Sequence, residues 1–306
     1  MKYQAYAKIN LGLDVLRQLP DGYHEVSMIM QSIALHDTLT LEKMKNPGIS
    51  LEMDLTDLYM PEHGSRSAVL SDGSDNLAFK AADLLVKEFG ITEGVSIHLQ
   101  KHIPIAAGMA GGSTDAAAVL HMMNEVFRLG LSPAALAIRG KKIGADVPYC
   151  LMGGTALAEG IGEILTPLPA IPHCRILIGK PDISVSTKFV YQNLKLHELD
   201  HHPDIRGMRA AIEARDMNGI LKRLENVLET VTIPAYPVVN EIKECMLKAG
   251  AAGALMSGSG PTVFGIFTDE GEEAAEAALK ILQESNLTAA CMLTEPRERK
   301  LWEQMS

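Results

Sequence analysis

The sequence predicts an α+β protein of two domains, and three observations lead to this prediction. The chain has 306 residues, about twice the length of a typical domain. Its second half mixes strand and helix patterns in an order typical of helices packed on one face of a mostly antiparallel sheet. Around residues 153–180 the composition shifts to glycine, proline and short apolar runs. We therefore expect one domain over residues 1–160 and another over residues 161–306.

The composition indicates a folded protein and argues against nucleic-acid binding. Hydrophobic residues make up 47% of the chain and charged residues 22%, which excludes wholesale disorder. The 28 basic and 38 acidic residues give a net charge of −10, and the basic ones are scattered rather than clustered. Nucleic-acid binders usually carry a basic patch. An acidic protein must bind a phosphorylated ligand through a local site, so we expect no nucleic-acid partner.

The cysteines and the apolar runs predict a cytoplasmic protein. The four cysteines lie far apart and form no Cys-x-x-Cys pair, which argues against a zinc finger or a thioredoxin-like site. Residues 1–8 show no apolar leader segment, and no uncharged apolar run approaches the roughly 18 residues of a membrane span. We expect reduced thiols and no membrane partner.

The elements of the first half follow from turn signals and hydrophobic periods. The first forty residues predict short strands and turns, with Asp21-Gly22 as a turn and residues 37–42 alternating as a half-buried strand. The polar stretch 46–73 predicts an irregular surface excursion. From Asn76 an apolar stripe at helical spacing predicts a helix that ends before Gly90.

The next elements surround a loop of small residues. Residues 95–99 alternate as a strand, and the loop 104–113 leads into a second helix whose apolar positions run from Ala116 to Phe127. Ser132-Pro133 predicts a further helix start, because serine can cap and proline suits the first helical position.

The second half predicts three strands and three helices. We expect strands over residues 175–178, 263–268 and 289–294. The predicted helices cover residues 204–229, 238–249 and 271–284.

The loop 104–113 and the helix start after it form a candidate anion site. Small residues let the backbone approach a charged group closely, and a helix start offers unpaired N–H groups at the positive end of its dipole. Ser113 and Thr114 add hydroxyl groups, and a hydroxyl can also bind a metal ion. The spacing is neither that of a Walker A loop nor that of a Rossmann fingerprint. The alternative is a tight strand-to-helix turn whose small residues serve packing.

Further motifs accompany this loop and together resemble the GHMP kinase superfamily, with Gly-Gly-Ser-Thr-Asp-Ala-Ala as its phosphate loop. They are Ala7-Lys8-Ile9-Asn10-Leu11, Asp21-Gly22-Tyr23-His24, Ile143-Gly144-Ala145-Asp146-Val147-Pro148, Ala158-Glu159-Gly160-Ile161-Gly162-Glu163 and Met256-Ser257-Gly258-Ser259-Gly260-Pro261-Thr262. The resemblance spans residues 7–267. It implies a ribosomal-S5-like ATP-binding domain followed by a ferredoxin-like α/β sandwich.

One departure from the family pattern lies in the loop itself. Ala106-Ala107 stands where many relatives have glycines. Alanine fits such positions if φ is negative, so we expect phosphate binding to be retained.

The resemblance implies a catalytic pair. Asp146 would accept the proton of the substrate hydroxyl, and Lys8 would lie beside it. An ammonium group keeps a neighbouring carboxylate ionised and helps to stabilise the charge on a transferring phosphoryl group. Without the motifs, Asp146 would be interpreted as a loop carboxylate or helix cap, and Lys8 as a solvated strand lysine.

The resemblance also implies the binding residues. Asn76 and Lys101 would line the adenosine pocket, although each could also be a helix cap or an exposed strand charge. Tyr23 and His24 would recognise a cytosine base by stacking and hydrogen bonding, while Asn10, Thr187 and Tyr191 would contact the rest of the substrate. The phosphates of ATP would lie on the loop formed by Pro104, Ile105, Ala106, Ala107, Gly108, Met109, Ala110, Gly111, Gly112, Ser113 and Thr114.

The resemblance is strongest to the GHMP kinases that phosphorylate a CDP-linked methylerythritol in the non-mevalonate route to isoprenoid precursors. It implies ATP and Mg²⁺ as cofactors, Ser113 as a Mg²⁺ ligand, and a monomer or weak homodimer. Two alternatives stay open: a GHMP kinase for homoserine or mevalonate, and a GHMP-fold protein that binds ligands without catalysis.

Overall fold

The computed structural model describes residues 1–56, 73–268 and 271–298, which form eleven strands, ten α-helices and a short 3-10 helix at Leu196–Glu198. The strands are β1 (Lys2–Gln18), β2 (His24–Met44), β3 (Ile49–Asp54), β4 (Gly94–Gln100), β5 (Thr155–Gly160), β6 (Ile164–Leu168), β7 (Arg175–Lys180), β8 (Glu225–Asn226), β9 (Gly253–Met256), β10 (Val263–Phe267) and β11 (Ala290–Thr294). The helices are α1 (Leu77–Phe89), α2 (Gly111–Val126), α3 (Pro133–Lys141), α4 (Val147–Met152), α5 (Thr187–Asn193), α6 (Ile205–Glu213), α7 (Met217–Leu221), α8 (Glu229–Ala235), α9 (Val238–Lys248) and α10 (Glu272–Glu284).

The chain packs as two compact units that interleave along the sequence. The first unit contains Met1–Ala7, the described part of Leu35–Ile105, and Ala110–Met152. The second contains Lys8–Ala34, Ala106–Met109 and the described residues from Gly153 onward. Strands β1 and β2 therefore contribute residues to both units, and the predicted boundary at residue 160 stays a prediction.

In the first unit, helices α1, α2, α3 and α4 accompany β3, β4 and parts of β1 and β2. The end of β2 pairs antiparallel with β4, and β4 pairs parallel with β3. Apolar side chains of β2 and β4 are buried, among them Leu41 and Ile97, which are register partners. Helix α1 starts at Asn76, whose side chain accepts a hydrogen bond from Ala78 N at 2.8 Å. It packs against α2 and ends at Gly90, where φ is +61°.

The second unit contains the rest of β1 and β2 and a separate sheet. The start of β2 pairs antiparallel with β5, which pairs with β6, while β1 pairs parallel with β8 at Gly12–Leu13. The separate sheet is antiparallel throughout, in the order β11-β7-β10-β9. A Cβ on Gly179 of β7 would meet side chains of both α9 and α10 within 3.0 Å, so both helices cover the same face.

The structure corrects several sequence-based expectations. The first forty residues form two long strands of 17 and 21 residues rather than short ones, because their buried positions continue through both units. The predicted helix 204–229 is divided into α6, α7 and β8, with Arg215 at a φ of +54° after α6. Strand β3 lies within the supposedly irregular stretch 46–73, of which residues 57–72 are outside the described residues. Helix α2 begins at Gly111, inside the predicted loop.

None of the helices in the described ranges combines the length and apolar composition that crossing a bilayer requires.

Candidate active site

In the second unit, strand β1 places Lys8 and Asn10 on the same face, because side chains two residues apart in a strand share a face. Both side chains are buried. Lys8 Nζ donates to Asn10 Oδ1 at 2.7 Å and to the Gly108 carbonyl oxygen at 3.1 Å. The Lys8 backbone N–H also donates to the Met109 carbonyl oxygen at 3.1 Å. The ammonium group is therefore held in place by groups from β1 and from the glycine loop.

Gly108 is a position that only glycine fits. Its φ is +70°, and a Cβ would lie 2.3 Å from the Ser257 carbonyl oxygen. Ser257 Oγ donates to the Gly108 carbonyl oxygen at 3.0 Å, so this one oxygen accepts from both Lys8 and Ser257. The close approach brings the Ser257–Gly260 turn directly against the loop residue that holds Lys8.

Buried Asn226 of β8 fixes this second glycine-rich turn. Its amide group donates to the carbonyl oxygens of Met256 at 2.9 Å and Gly258 at 2.8 Å. A Cβ on Gly258 would lie 3.5 Å from Asn10 Oδ1 and 3.6 Å from Lys8 Nζ. The turn therefore lines the Lys8–Asn10 pair.

Helix α5 carries two of the predicted substrate residues, Thr187 and Tyr191, and each contacts a residue from another part of the second unit. Thr187 Oγ1 lies 2.8 Å from Ser259 Oγ, and the ring centroids of His24 and Tyr191 are 5.1 Å apart. Burial lowers the pKa of His24. A neutral imidazole offers one donor and one acceptor, as recognition of a base edge requires. The Tyr23 side chain is 60% exposed, so its aromatic face can receive a planar ligand.

In the first unit, the start of α2 presents backbone N–H groups. Ala110 precedes the helix in the left-handed region, and its methyl side chain cannot cap the first turn. Gly112 is exposed, and the nearest atom to a Cβ there would be Leu77 Cδ1 at an ordinary 3.6 Å. The space in front of Gly112 is thus open to a ligand, as an anion site requires.

The backbone angle φ of Ala106 differs from the value expected for an alanine in this loop. Ala106 has a φ of +52°, so the condition that made alanine acceptable at this position fails. Ala110 is likewise at +58°. A left-handed conformation costs an alanine about 1 kcal/mol. The loop therefore holds a strained backbone at two positions.

Asp146 immediately precedes helix α4 and is half-buried. Its carbonyl oxygen accepts from Cys150 N at 3.0 Å, so its backbone occupies a helix-start position. Ser113 Oγ lies 3.7 Å from the point that a Cβ on Gly144 would occupy, which brings the loop hydroxyl close to the Gly144–Asp146 segment. The pairing of Asp146 with Lys8 stays a prediction, as do the roles of all the site residues.

The two residues predicted for the adenosine pocket have structural partners. Asn76 is the N-cap of α1. Lys101 is buried, which makes the interpretation as an exposed strand charge wrong, and its ammonium group forms ion pairs with Asp37 and Asp115. Sequence reasoning gave no role to Asp37, Asp115 or Asn226. Asp115 lies within the phosphate-loop motif, but no local pattern shows the partners of these three residues, which are distant in sequence.

The chain matches two family models, the GHMP kinases N terminal domain over residues 76–154 and the GHMP kinases C terminal over residues 208–285. It is 50% identical over 275 residues to 4-diphosphocytidyl-2-C-methyl-D-erythritol kinase of Lachnoclostridium phytofermentans, covering 90% of each chain. The chain belongs to the GHMP kinases. The predicted family and α+β fold are thereby confirmed.

Further relatives support the assignment of the chain to the GHMP kinases. The enzyme of the same name from Alkaliphilus metalliredigens is 42% identical over 304 residues, covering 99% of each chain. A crystal structure of 4-(cytidine 5'-diphospho)-2C-methyl-D-erythritol kinase superposes with a TM-score of 0.77 at 30% identity, covering 97% of this chain and 99% of that one. The homoserine kinase of Cytophaga hutchinsonii has a TM-score of 0.70 at 18% identity, which shows the fold alone.

Proposed function

We propose that this GHMP kinase uses ATP to phosphorylate a hydroxyl group of 4-diphosphocytidyl-2-C-methyl-D-erythritol, a step of the non-mevalonate route to isoprenoid precursors. The observation that carries the proposal is the 50% identity over 90% of the chain to a curated kinase named for this substrate. The similarity to homoserine and mevalonate kinases is 18% identity or less in representative structures, and it supports no choice of substrate.

Lys8 and Asp146 have distinct tasks in this proposal. Lys8 is held by Asn10 and Gly108, so its positive charge is fixed before the substrates bind. A charge placed in advance stabilises a developing negative charge without reorganisation. Asp146 accepts the proton that the substrate hydroxyl loses, and a helix start supports a carboxylate because the helix dipole is positive there.

The cytidine end of the substrate is assigned to the aromatic residues of the second unit. The exposed Tyr23 ring supplies a stacking face, and His24, in contact with Tyr191, supplies hydrogen bonds to the base edge. Asn10 and Thr187 are proposed to contact the hydroxyl groups and phosphates of the substrate.

Magnesium is proposed as the metal that accompanies ATP. Among the described residues, no group of three or more His, Cys, Asp or Glu side chains could hold a metal ion. This fits Mg²⁺, which is commonly bound by substrate phosphates, waters and only one or two protein oxygens. Ser113 Oγ, in the first turn of α2, is the proposed protein ligand. Bound Mg²⁺ would neutralise the negative charge on the phosphate oxygens.

Two further expectations remain proposals. A cytoplasmic location is supported by the four widely spaced cysteines, which form no Cys-x-x-Cys pair in the sequence. We also propose that the protein is a monomer or weak homodimer with no nucleic-acid or membrane partner.

A coupled assay of ADP release tests the function. The purified protein is given ATP and Mg²⁺ with the CDP-linked methylerythritol, with homoserine or with mevalonate, at equal concentrations. Of the three substrates, we expect only the CDP-linked methylerythritol to give substantial turnover. ³¹P NMR of that reaction should show a new phosphate monoester. Turnover with homoserine or mevalonate instead would overturn the substrate, and ligand binding without any turnover would favour the non-catalytic alternative.

A further inference from the structure

Asp37 of β2 forms hydrogen bonds to the chain just before the glycine loop. Its side chain is fully buried. Asp37 Oδ1 accepts from the backbone N–H groups of His102 at 2.6 Å and Ile103 at 2.8 Å. The loop begins at the next residue, Pro104. One carboxylate oxygen therefore fixes the direction in which the chain enters the loop.

The same carboxylate is linked to the helix that follows the loop. The Lys101 ammonium group binds Asp37 Oδ2 and donates to Asp115 Oδ2 at 2.8 Å. Asp115 is the fifth residue of α2, which begins at Gly111, and its side chain is buried. The chain entering the loop and the helix leaving it are thus joined through Asp37, Lys101 and Asp115, all in the first unit.

Burying the three charged side chains of Asp37, Lys101 and Asp115 costs desolvation free energy. Two carboxylates share one ammonium group, and buried Asp115 Oδ1 has no hydrogen-bond partner among the residues that the structure describes. Burial, partly offset by Lys101, raises the pKa of the Asp115 carboxyl. Well-packed apolar residues often replace buried ion pairs with no loss of stability, or with a gain. The cluster is therefore weak evidence for stability, whereas its bonds fix the relative positions of the groups that it joins.

We propose that Asp37 is a positioning residue for nucleotide binding, because it holds the two ends of the phosphate loop in register through its bonds to His102, Ile103 and Lys101. Lys101 then acts through the cluster, as the link to Asp115, rather than through contact of its ammonium group with ATP. The inference rests on the proposed function, since it assigns the loop to ATP.

The test uses Asp37→Asn in the full-length protein, with Leu41→Ala as the matched control. Asparagine keeps the shape and one acceptor for the two N–H groups but removes the charge that binds Lys101. Leu41 lies on the same strand, is equally buried and pairs with Ile97, so its truncation destabilises the same unit by leaving a cavity. ATP and CDP-linked methylerythritol are titrated separately, well below the unfolding temperature of each variant.

We expect Asp37→Asn to weaken ATP binding by about 10- to 100-fold, the loss expected when one hydrogen bond to a charged phosphate group is broken. Binding of the CDP-linked substrate should be unchanged, and Leu41→Ala should retain the affinity of both ligands. Asp115→Asn should give the same selective loss, and the double variant should lose less than the product of the two effects.

Three results would overturn the inference: unchanged ATP affinity in Asp37→Asn, an equal loss for both ligands, or an equal loss of ATP affinity in Leu41→Ala. If Asp37→Asn does not fold, Asp115→Asn decides by the same criteria. A wild-type protein that binds no ATP would instead refute the proposed function, so the two failures are distinguishable.

Discussion

Replacing Gly112 with alanine should strengthen the fold and weaken ATP binding at the same time. Gly112 is the second residue of α2, and a Cβ there would come no closer than 3.6 Å to Leu77. Alanine favours a helix over glycine by up to about 1 kcal/mol, so the free energy of unfolding should rise. The new methyl group would occupy the open space in which a phosphate group must approach the backbone N–H groups.

The expected loss of affinity follows from the hydrogen bond that is blocked. A hydrogen bond to a charged group contributes about 1.5–3 kcal/mol. Its loss corresponds to a dissociation constant for ATP that is roughly 10- to 100-fold larger. Isothermal titration with ATP gives the affinity, and thermal unfolding of the same samples gives the stability. Because the two effects have opposite signs, a loss of affinity cannot be attributed to unfolding.

Two other glycines serve for comparison, Gly111 within the loop and Gly271 as the control outside it. At Gly111 a Cβ would lie 3.2 Å from Ile103 Cγ2 and 3.4 Å from Lys101 Nζ, so Gly111→Ala should lower stability as well as affinity. At Gly271, far along the sequence, a Cβ would meet Phe267 at an ordinary 3.6 Å, and Gly271→Ala should leave ATP affinity unchanged. Unaltered ATP affinity in the folded Gly112→Ala protein would refute the reasoning and make the loop a packing turn.

Four further substitutions probe the remaining assignments and the buried residue His121. Asp146→Asn should lower turnover by about 10²–10⁴-fold, the usual contribution of general-base assistance, while ATP binds equally well or slightly better, and steady-state rates with ATP titrations measure both. Lys8→Ala should also lower turnover, and the double variant should lose much less than the product, because residues that act together are non-additive. Tyr23→Ala should weaken binding of the CDP-linked substrate by about 1–3 kcal/mol, the value of one base stack, with ATP affinity retained in parallel titrations. Burial lowers the pKa of His121 to about 4. The free energy of unfolding, measured with urea, should therefore fall by at most about 3 kcal/mol as the pH drops from about 6.5 to about 4. His121→Gln should make the free energy of unfolding less dependent on pH in this range.

Each of these has a result that would contradict it. Near-normal turnover of Asp146→Asn, with folding confirmed by circular dichroism, would mean that positioning alone reaches the transition state. An equal loss of both ligands in Tyr23→Ala would assign the ring to structure rather than recognition. If His121→Gln retains the full acid sensitivity of the wild-type protein, the titration arises from another group. The sign is fixed because the unfolded chain binds the proton of this histidine more readily than the folded one does.

Local patterns predicted much of the fold. The helix from Asn76 to Gly90 was identified by its cap, its apolar stripe and its terminal glycine, and the structure confirms all three. The Ser132-Pro133 helix start is confirmed by the hydrogen bond from Ala135 N to Ser132 Oγ. These features depend on neighbours within one or two turns, which the sequence displays directly.

Tertiary partners decided the features that sequence reasoning missed. Strand β8 has only two residues, and it exists because Glu225–Asn226 pair with Gly12–Leu13 of β1. The phosphate loop and the Lys8 motif were recognised as motifs, but the residues that hold them, such as Asp37 and Asn226, carry no local signal. The left-handed Ala106 was also unforeseen, because alanine rarely adopts a positive φ without support from the surrounding structure.

The pairing of β1 with β8 has a consequence for how the protein is made. Leu13 emerges from the ribosome long before its parallel partner Asn226, which lies much later in the chain. Until then, this edge of an apolar strand has no β8 to cover it, and exposed strand edges promote aggregation. Contacts so distant in sequence also slow folding. The nascent chain should therefore depend on chaperones until β8 has been synthesised, and fragments that end before residue 225 should be poorly soluble.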